Sequence, residues 1–134
     1  MDEVCLNAEN CIAGRAASRA AKELLKGRKV IIVNAEKAVI TGNKQYTVRI
    51  WLERVERGDP YHGPFAARTP DRILRRMVRG MLPYKKPLGK KAFSQLRVYL
   101  AVPEELKGRE LQAFSPPKPQ QKHITLGELS RRMT

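Results

Sequence analysis

The densest chemistry in this chain is cationic. Between residues 68 and 97 stand Arg68, Arg72, Arg75, Arg76, Arg79, Lys85, Lys86, Lys90, Lys91 and Arg97, opposed only by Asp71. At about 100° per residue, Arg72, Arg75, Arg76 and Arg79 fall within roughly a 100° arc of one helix. Ile73, Leu74, Met77, Val78 and Met81 fill the opposite arc. Such a helix docks its apolar side on a core and turns guanidinium groups outward, where their planar forks match phosphate oxygens bidentately. No Glu interleaves at i+4, as one would in a helix whose charges merely keep it solvated. A second stripe, Arg15, Arg19, Lys22 and Lys26, repeats at helical spacing near the N-terminus. For that stripe a plain solvated face stays open beside the binding reading.

Composition agrees with an anionic partner. The chain has 134 residues, a formal net charge of +14 and 42% hydrophobic content, so it can fold as one domain yet repels itself without a polyanion. An anionic membrane is the competing partner, but the apolar helix arcs are committed to a core and no exposed Trp or Phe wedge is expected. The longest aliphatic run, Val30 to Val33, is far short of the ~20 residues a span needs. Met1-Asp2-Glu3 does not open a secretory signal, which makes cytoplasm the default expectation.

Catalysis finds little support. Asn7 to Gly14 is neither a G-x-G-x-x-G turn nor a P-loop. The segment Asn34-Ala35-Glu36-Lys37 follows a strand, where open α/β sheets bind ligands, but no convergent His, Asp or nucleophile joins it. The pair Glu36 and Lys37 reads as a surface ion pair. Cys5 and Cys11 match no zinc spacing, and neither His62 nor His123 supplies a ligand pair nearby, so reduced thiols, buried or half-buried, are expected and no metal or cofactor.

The elements that must position the cations follow from periodicity. Val4 to Leu6 predicts a short strand, and a helix over about 12–26 follows, capped by Asn10, lined by Ala16, Ala17, Ala20, Ala21 and Leu24, and ended by Gly27. Lys29 to Val33 is a β-branched run suited to a strand covered on both faces. Strand, helix and strand make a βαβ unit with right-handed crossover. Ala38 to Ile40 is a further extended piece, turned by Thr41-Gly42-Asn43. A helix over about 44–57 carries the core stripe Val48, Trp51, Leu52 and Val55. Gly58 to Arg68 is a loop whose Tyr61, His62 and Phe65 either pin it down or stack on unpaired bases.

Thr69-Pro70-Asp71 starts the arginine helix with a capping hydroxyl, a first-turn proline and an acid. Gly80 and Pro83 close it. Pro83 to Lys91 reads as a lysine-rich connector, its lysines mobile point charges, and Leu96 to Val102 as an alternating strand. The domain is drawn over residues 1–115, with 116–134 as a Pro-rich linker and short C-terminal helix opened by the capping box Thr125-Leu126-Gly127-Glu128. Leu126, Leu129 and Met133 give that helix a docking stripe.

Specific strings narrow the class. Val33-Asn34-Ala35-Glu36-Lys37, Ile40-Thr41-Gly42-Asn43-Lys44 and Arg79-Gly80-Met81-Leu82-Pro83 resemble the large-subunit ribosomal protein L-thirteen family. So do Thr69 to Ile73, Lys85-Lys86-Pro87, Gly89 and Leu96-Arg97-Val98-Tyr99, in order over nearly the whole chain. Ile124 to Leu129 resembles the archaeal branch. Members often carry an acid and a leucine where this chain has Asn7 and Ala16, positions outside the basic faces. The resemblance implies a three-layer α/β/α domain around a mostly parallel four-stranded sheet, plus the C-terminal extension. It also implies binding of large-subunit ribosomal RNA early in subunit assembly, among neighbouring ribosomal proteins, without catalysis or a small-molecule substrate. The residues alone reach only an α/β domain that binds nucleic acid. A DNA-binding chromatin or regulatory protein is the alternative, weakened by the lack of exposed Asn, Gln or Ser beside the arginines. A small nucleotide-utilising α/β enzyme is the more remote one.

Overall fold

Two five-residue strands, one of them the β-branched run Lys29–Val33, build the frame. The computed structural model describes residues 3–56, 68–104, 112–113 and 122–133. β1 (Glu3–Asn7) pairs with β2 (Lys29–Val33), and β2 with β4 (Leu96–Val98), both in parallel. A two-residue strand, β5 (Gln112–Ala113), lies parallel to Leu6 and Asn7 on the far side of β1. β3 (Val39–Thr41) leaves this sheet and pairs antiparallel with β6 (His123–Thr125). The fold is mixed α/β.

The β1–α1–β2 crossover uses α1 (Ala13–Leu25), whose Ala13, Ala16, Ala17 and Ala20 are fully buried. Small side chains let α1 press close to its neighbours, among them α3 (Pro70–Met81). α2 (Lys44–Glu56) buries Val48 and lays Trp51, Leu52 and Val55 half-buried against the same core, as its period requires. α4 (Pro87–Ser94) adds Ala92, and α5 (Leu126–Met133) adds Leu126 and Leu129. Because side chains alternate across a strand, Leu6, Val30, Ile32 and Leu96 join the helices in this core. Cys5, Ile31 and Val33 point to the other face, where Val102 packs on them; among the described residues no helical side chain joins that second cluster.

Several local expectations are corrected. Asn10 does not cap α1: its φ of 60° is left-handed, its N–H bonds Lys37 O at 3.1 Å, and Ile12 stands at the cap. Short polar Asn tolerates that conformation, so a turn claims it first. Thr69 does hold the cap position of α3, but through its carbonyl, which accepts from Ile73 N–H at 2.9 Å; its hydroxyl makes no capping bond. The lysine-rich connector is largely helix. Pro87 sits at its first turn, and a Cβ at Gly89 would lie 1.9 Å from Pro83 O, so glycine permits the helix to fold onto the preceding turn.

The last strand also stops early, at Val98. Asn34 turns left-handed just past β2 (φ 59°), so the partner strand ends. Tyr99 and Leu100 instead accept from Ala35 and Glu36 N–H in the 3-10 turn Ala35–Lys37, and Leu100 is exposed. At the other end the Thr125 hydroxyl accepts from Glu128 N–H at 3.2 Å, as the capping box requires. Pairing of β6 with β3 and the fully buried Leu126 and Leu129 tie this segment into the core. The loop with Tyr61, His62 and Phe65 and the stretch Ser115 to Pro119 lie outside the described residues, as does the Met133 side chain.

Candidate nucleic-acid interface

α3 divides as its wheel predicts. Ile73, Leu74 and Val78 are buried, Met77 is half-buried, and Arg72 and Arg76 are exposed; Met81, at the helix end, is 46% exposed rather than core. Arg75 and Arg79 are half-buried for a reason the wheel does not contain. The Arg75 Cζ lies 4.5 Å from the centroid of the Phe93 ring on α4, and the Arg79 Cζ lies 4.3 Å from that of Tyr84 in the intervening turn. Each guanidinium therefore stacks on a ring that attracts its charge. Among the described residues, no carboxylate pairs with any of these four arginines.

The turn and α4 extend this surface. Lys85 and Lys86 stand exposed in the turn, and Lys90 and Lys91 on exposed positions of α4 itself, so these lysines are carried by a packed helix rather than a loose tether. Arg68 is exposed just ahead of α3, where its backbone carbonyl accepts a 2.6 Å bond from the Ser130 hydroxyl of α5. Arg97 on β4 is exposed and donates back to Ser94 O and Leu96 O at 3.2 and 3.0 Å. One continuous stretch of chain, from Arg68 to Arg97, thus presents all ten cations on its outer side or half-buried against its own rings.

The α1 stripe is built differently. Arg15, Arg19, Lys22 and Lys26 are all exposed. Beneath them lies Glu23, its side chain only 4% exposed, held by Arg28 Nη1 at 2.6 Å, Arg19 Nε at 3.5 Å and Lys26 Nζ at 3.8 Å. Burial pushes the Glu23 pKa up, but the hydrogen bond from Arg28 and the charges of Lys26, Arg28 and Arg19 outweigh it and hold the carboxyl below its ordinary value. Two of the four stripe cations are therefore already engaged. Arg15 and Lys22 have no carboxylate partner among the described residues. Sequence reading passed over Glu23, although its position four residues after Arg19 and three before Lys26 is the usual signal for such pairs.

Other chemistry is sparse. Lys37 pairs with Glu9 at 3.7 Å rather than with its neighbour Glu36. Cys5 and Cys11 are buried and outside any disulfide, Cys11 donating weakly to Asn7 O at 3.5 Å. Among the described residues there is no group of three His, Cys, Asp or Glu placed to hold a metal, and no helix long and apolar enough to cross a membrane.

Comparison with known proteins gives this arrangement a lineage. A family model described as Ribosomal protein L13 matches residues 2–105. Large ribosomal subunit protein uL13 of Methanosarcina barkeri is 45% identical, covering 96% of this chain and 95% of that protein. The protein of the same name from Archaeoglobus fulgidus is 43% identical over 97% of this chain and 86% of its own length. That of Methanopyrus kandleri is 41% identical, with 96% and 84% covered. The chain belongs to the ribosomal protein L13 family.

Proposed function

We propose that this chain is a structural constituent of the large ribosomal subunit in the cytoplasm, of archaeal type, and that it binds large-subunit ribosomal RNA and supports subunit assembly and translation without catalysing a reaction. Its relatives carry the name of a large-subunit protein. The observation that carries the binding reading is α3: four arginines on one side, none paired with a described carboxylate. Arg72, Arg75, Arg76 and Arg79 clamp backbone oxygens, and Arg68, Lys85, Lys86, Lys90 and Lys91 extend the contact. Arg15, Arg19 and Lys22 form a secondary surface on α1. Neighbouring ribosomal proteins are the other partners.

The groove of A-form RNA that bears the base code is deep and narrow, so recognition here is of phosphate geometry and shape rather than of sequence. Arginine suits that task because its fork is planar, always charged and weakly hydrated. The finer architecture belongs to the same reading: a three-layer α/β/α domain over residues 1–115 with a four-stranded, mostly parallel sheet, then a linker and short helix over 116–134. The parallel pairing of Gln112–Ala113 on β1 supports the fourth strand, and the apolar face of Cys5, Ile31 and Val33 is one that a further layer would cover.

Competition between folded large-subunit ribosomal RNA and duplex DNA at matched salt tests this function. The RNA is expected to win; preference for DNA would overturn the reading in favour of a chromatin or regulatory protein.

A further inference from the structure

We infer that Tyr84 and Phe93 are positioning residues for RNA binding, clamping Arg79 and Arg75 so that their outer N–H edges are set for phosphate before any RNA arrives. The inference rests on the RNA-binding reading above and adds to it a division of labour within the arginine face. Arg75 and Arg79 are four residues apart, hence adjacent along one line of α3. Each places its Cζ over a ring supplied by the chain after the helix: Phe93 of α4 at 4.5 Å and Tyr84 of the turn at 4.3 Å from the ring centroid. Arg72 and Arg76, on the same side of α3, are exposed and have no such ring among the described residues.

Stacking occupies one face of a guanidinium and leaves its in-plane donors free, which is the geometry a bidentate phosphate contact uses. It also removes rotamer freedom that binding would otherwise have to remove, so affinity rises without a new contact. The rings themselves are held. Phe93 packs against the main core, and Gly89 allows α4 to close onto Pro83, one residue from Tyr84. A lysine cannot replace a clamped arginine, since an ammonium has neither the flat face nor the fork.

The test uses the full chain and in-vitro-transcribed, refolded large-subunit ribosomal RNA, with binding measured by filter retention across a potassium chloride series. Arg75→Lys with Arg79→Lys keeps the charge and is expected to weaken binding about fivefold, against less than about twofold for Arg72→Lys with Arg76→Lys. Tyr84→Leu with Phe93→Leu should match that roughly fivefold loss while leaving the salt slope unchanged, because no phosphate contact is lost. Tyr84→Phe should restore the Tyr84 contribution. Equal loss for the two lysine pairs overturns the inference, and since those variants leave both rings in place, that outcome does not depend on the leucine variants folding. Arg75→Ala with Arg79→Ala separates the two levels. If it binds like the parent, the RNA face itself is wrong and this inference falls with it; if it binds poorly while the ring variants do not, only the positioning role is wrong.

Discussion

α1 and α3 each carry four cations on one side, yet the two faces are different objects. On α1 a buried carboxylate sits under the stripe, and Glu23 engages Arg19 and Lys26 together with Arg28. On α3 the arginines meet aromatic rings and open solvent, with no carboxylate partner among the described residues. A count of positive charges treats them alike. What distinguishes them is whether the charge is already neutralised by the fold, because a guanidinium that has its carboxylate gains less from a phosphate.

The widest gap between the faces should appear on charge reversal. Arg75→Glu with Arg76→Glu is expected to weaken RNA binding by about 100-fold and to flatten its salt dependence, with a native-like circular dichroism spectrum since neither side chain is core. Unchanged affinity would remove α3 from the interface. Next in size is Gly89→Ala. A methyl group there meets the Pro83 backbone, so α4 must shift, with a loss of about 2 kcal/mol in denaturant unfolding. RNA affinity should fall with it, because Phe93 moves away from Arg75.

Glu23→Gln tests the other side of the comparison. Its cation partners are 41–55% exposed, so screening discounts the network to about 1 kcal/mol at neutral pH. The folded carboxyl titrates below its ordinary value of 4.5. Its contribution is therefore complete above that value and disappears as pH falls through the lower, folded pKa. Thermal unfolding should show the parent and Glu23→Gln converging under acid; a constant difference down to that range would contradict the network. The smallest effect is expected for Arg15→Glu with Lys22→Glu, a loss of RNA affinity of about threefold by the same filter assay. A loss equal to that of the α3 pair would erase the distinction between the faces.

Much of this was legible in the residues, in proportion to how local the cause was. The β-branched run of β2, the alanine side of α1 and the 3.6-residue period of α3 each declare their element within a few positions. The outward aim of the α3 arginines follows from that period alone. What escaped the sequence depends on distant partners. Pro83 to Lys91 reads as a connector until Gly89 is seen packed on the Pro83 backbone where a Cβ would not fit, and Leu100 reads as strand until Asn34 turns β2 away. The rings under Arg75 and Arg79 come from residues 18 and 5 positions later, brought in by a fold-back that no periodicity announces. Glu23 was within reach of simple i+4 spacing and was outweighed by the cations around it.

If the α3 arginines exist to neutralise a polyanion, the native large subunit must show them doing so. A cryo-electron microscopy reconstruction of that particle is the most direct measurement. Arg72, Arg75, Arg76 and Arg79 should each place a guanidinium nitrogen within about 3 Å of a ribosomal RNA phosphate oxygen. Finding them in bulk solvent, or bound by carboxylates of adjacent proteins, would contradict the account.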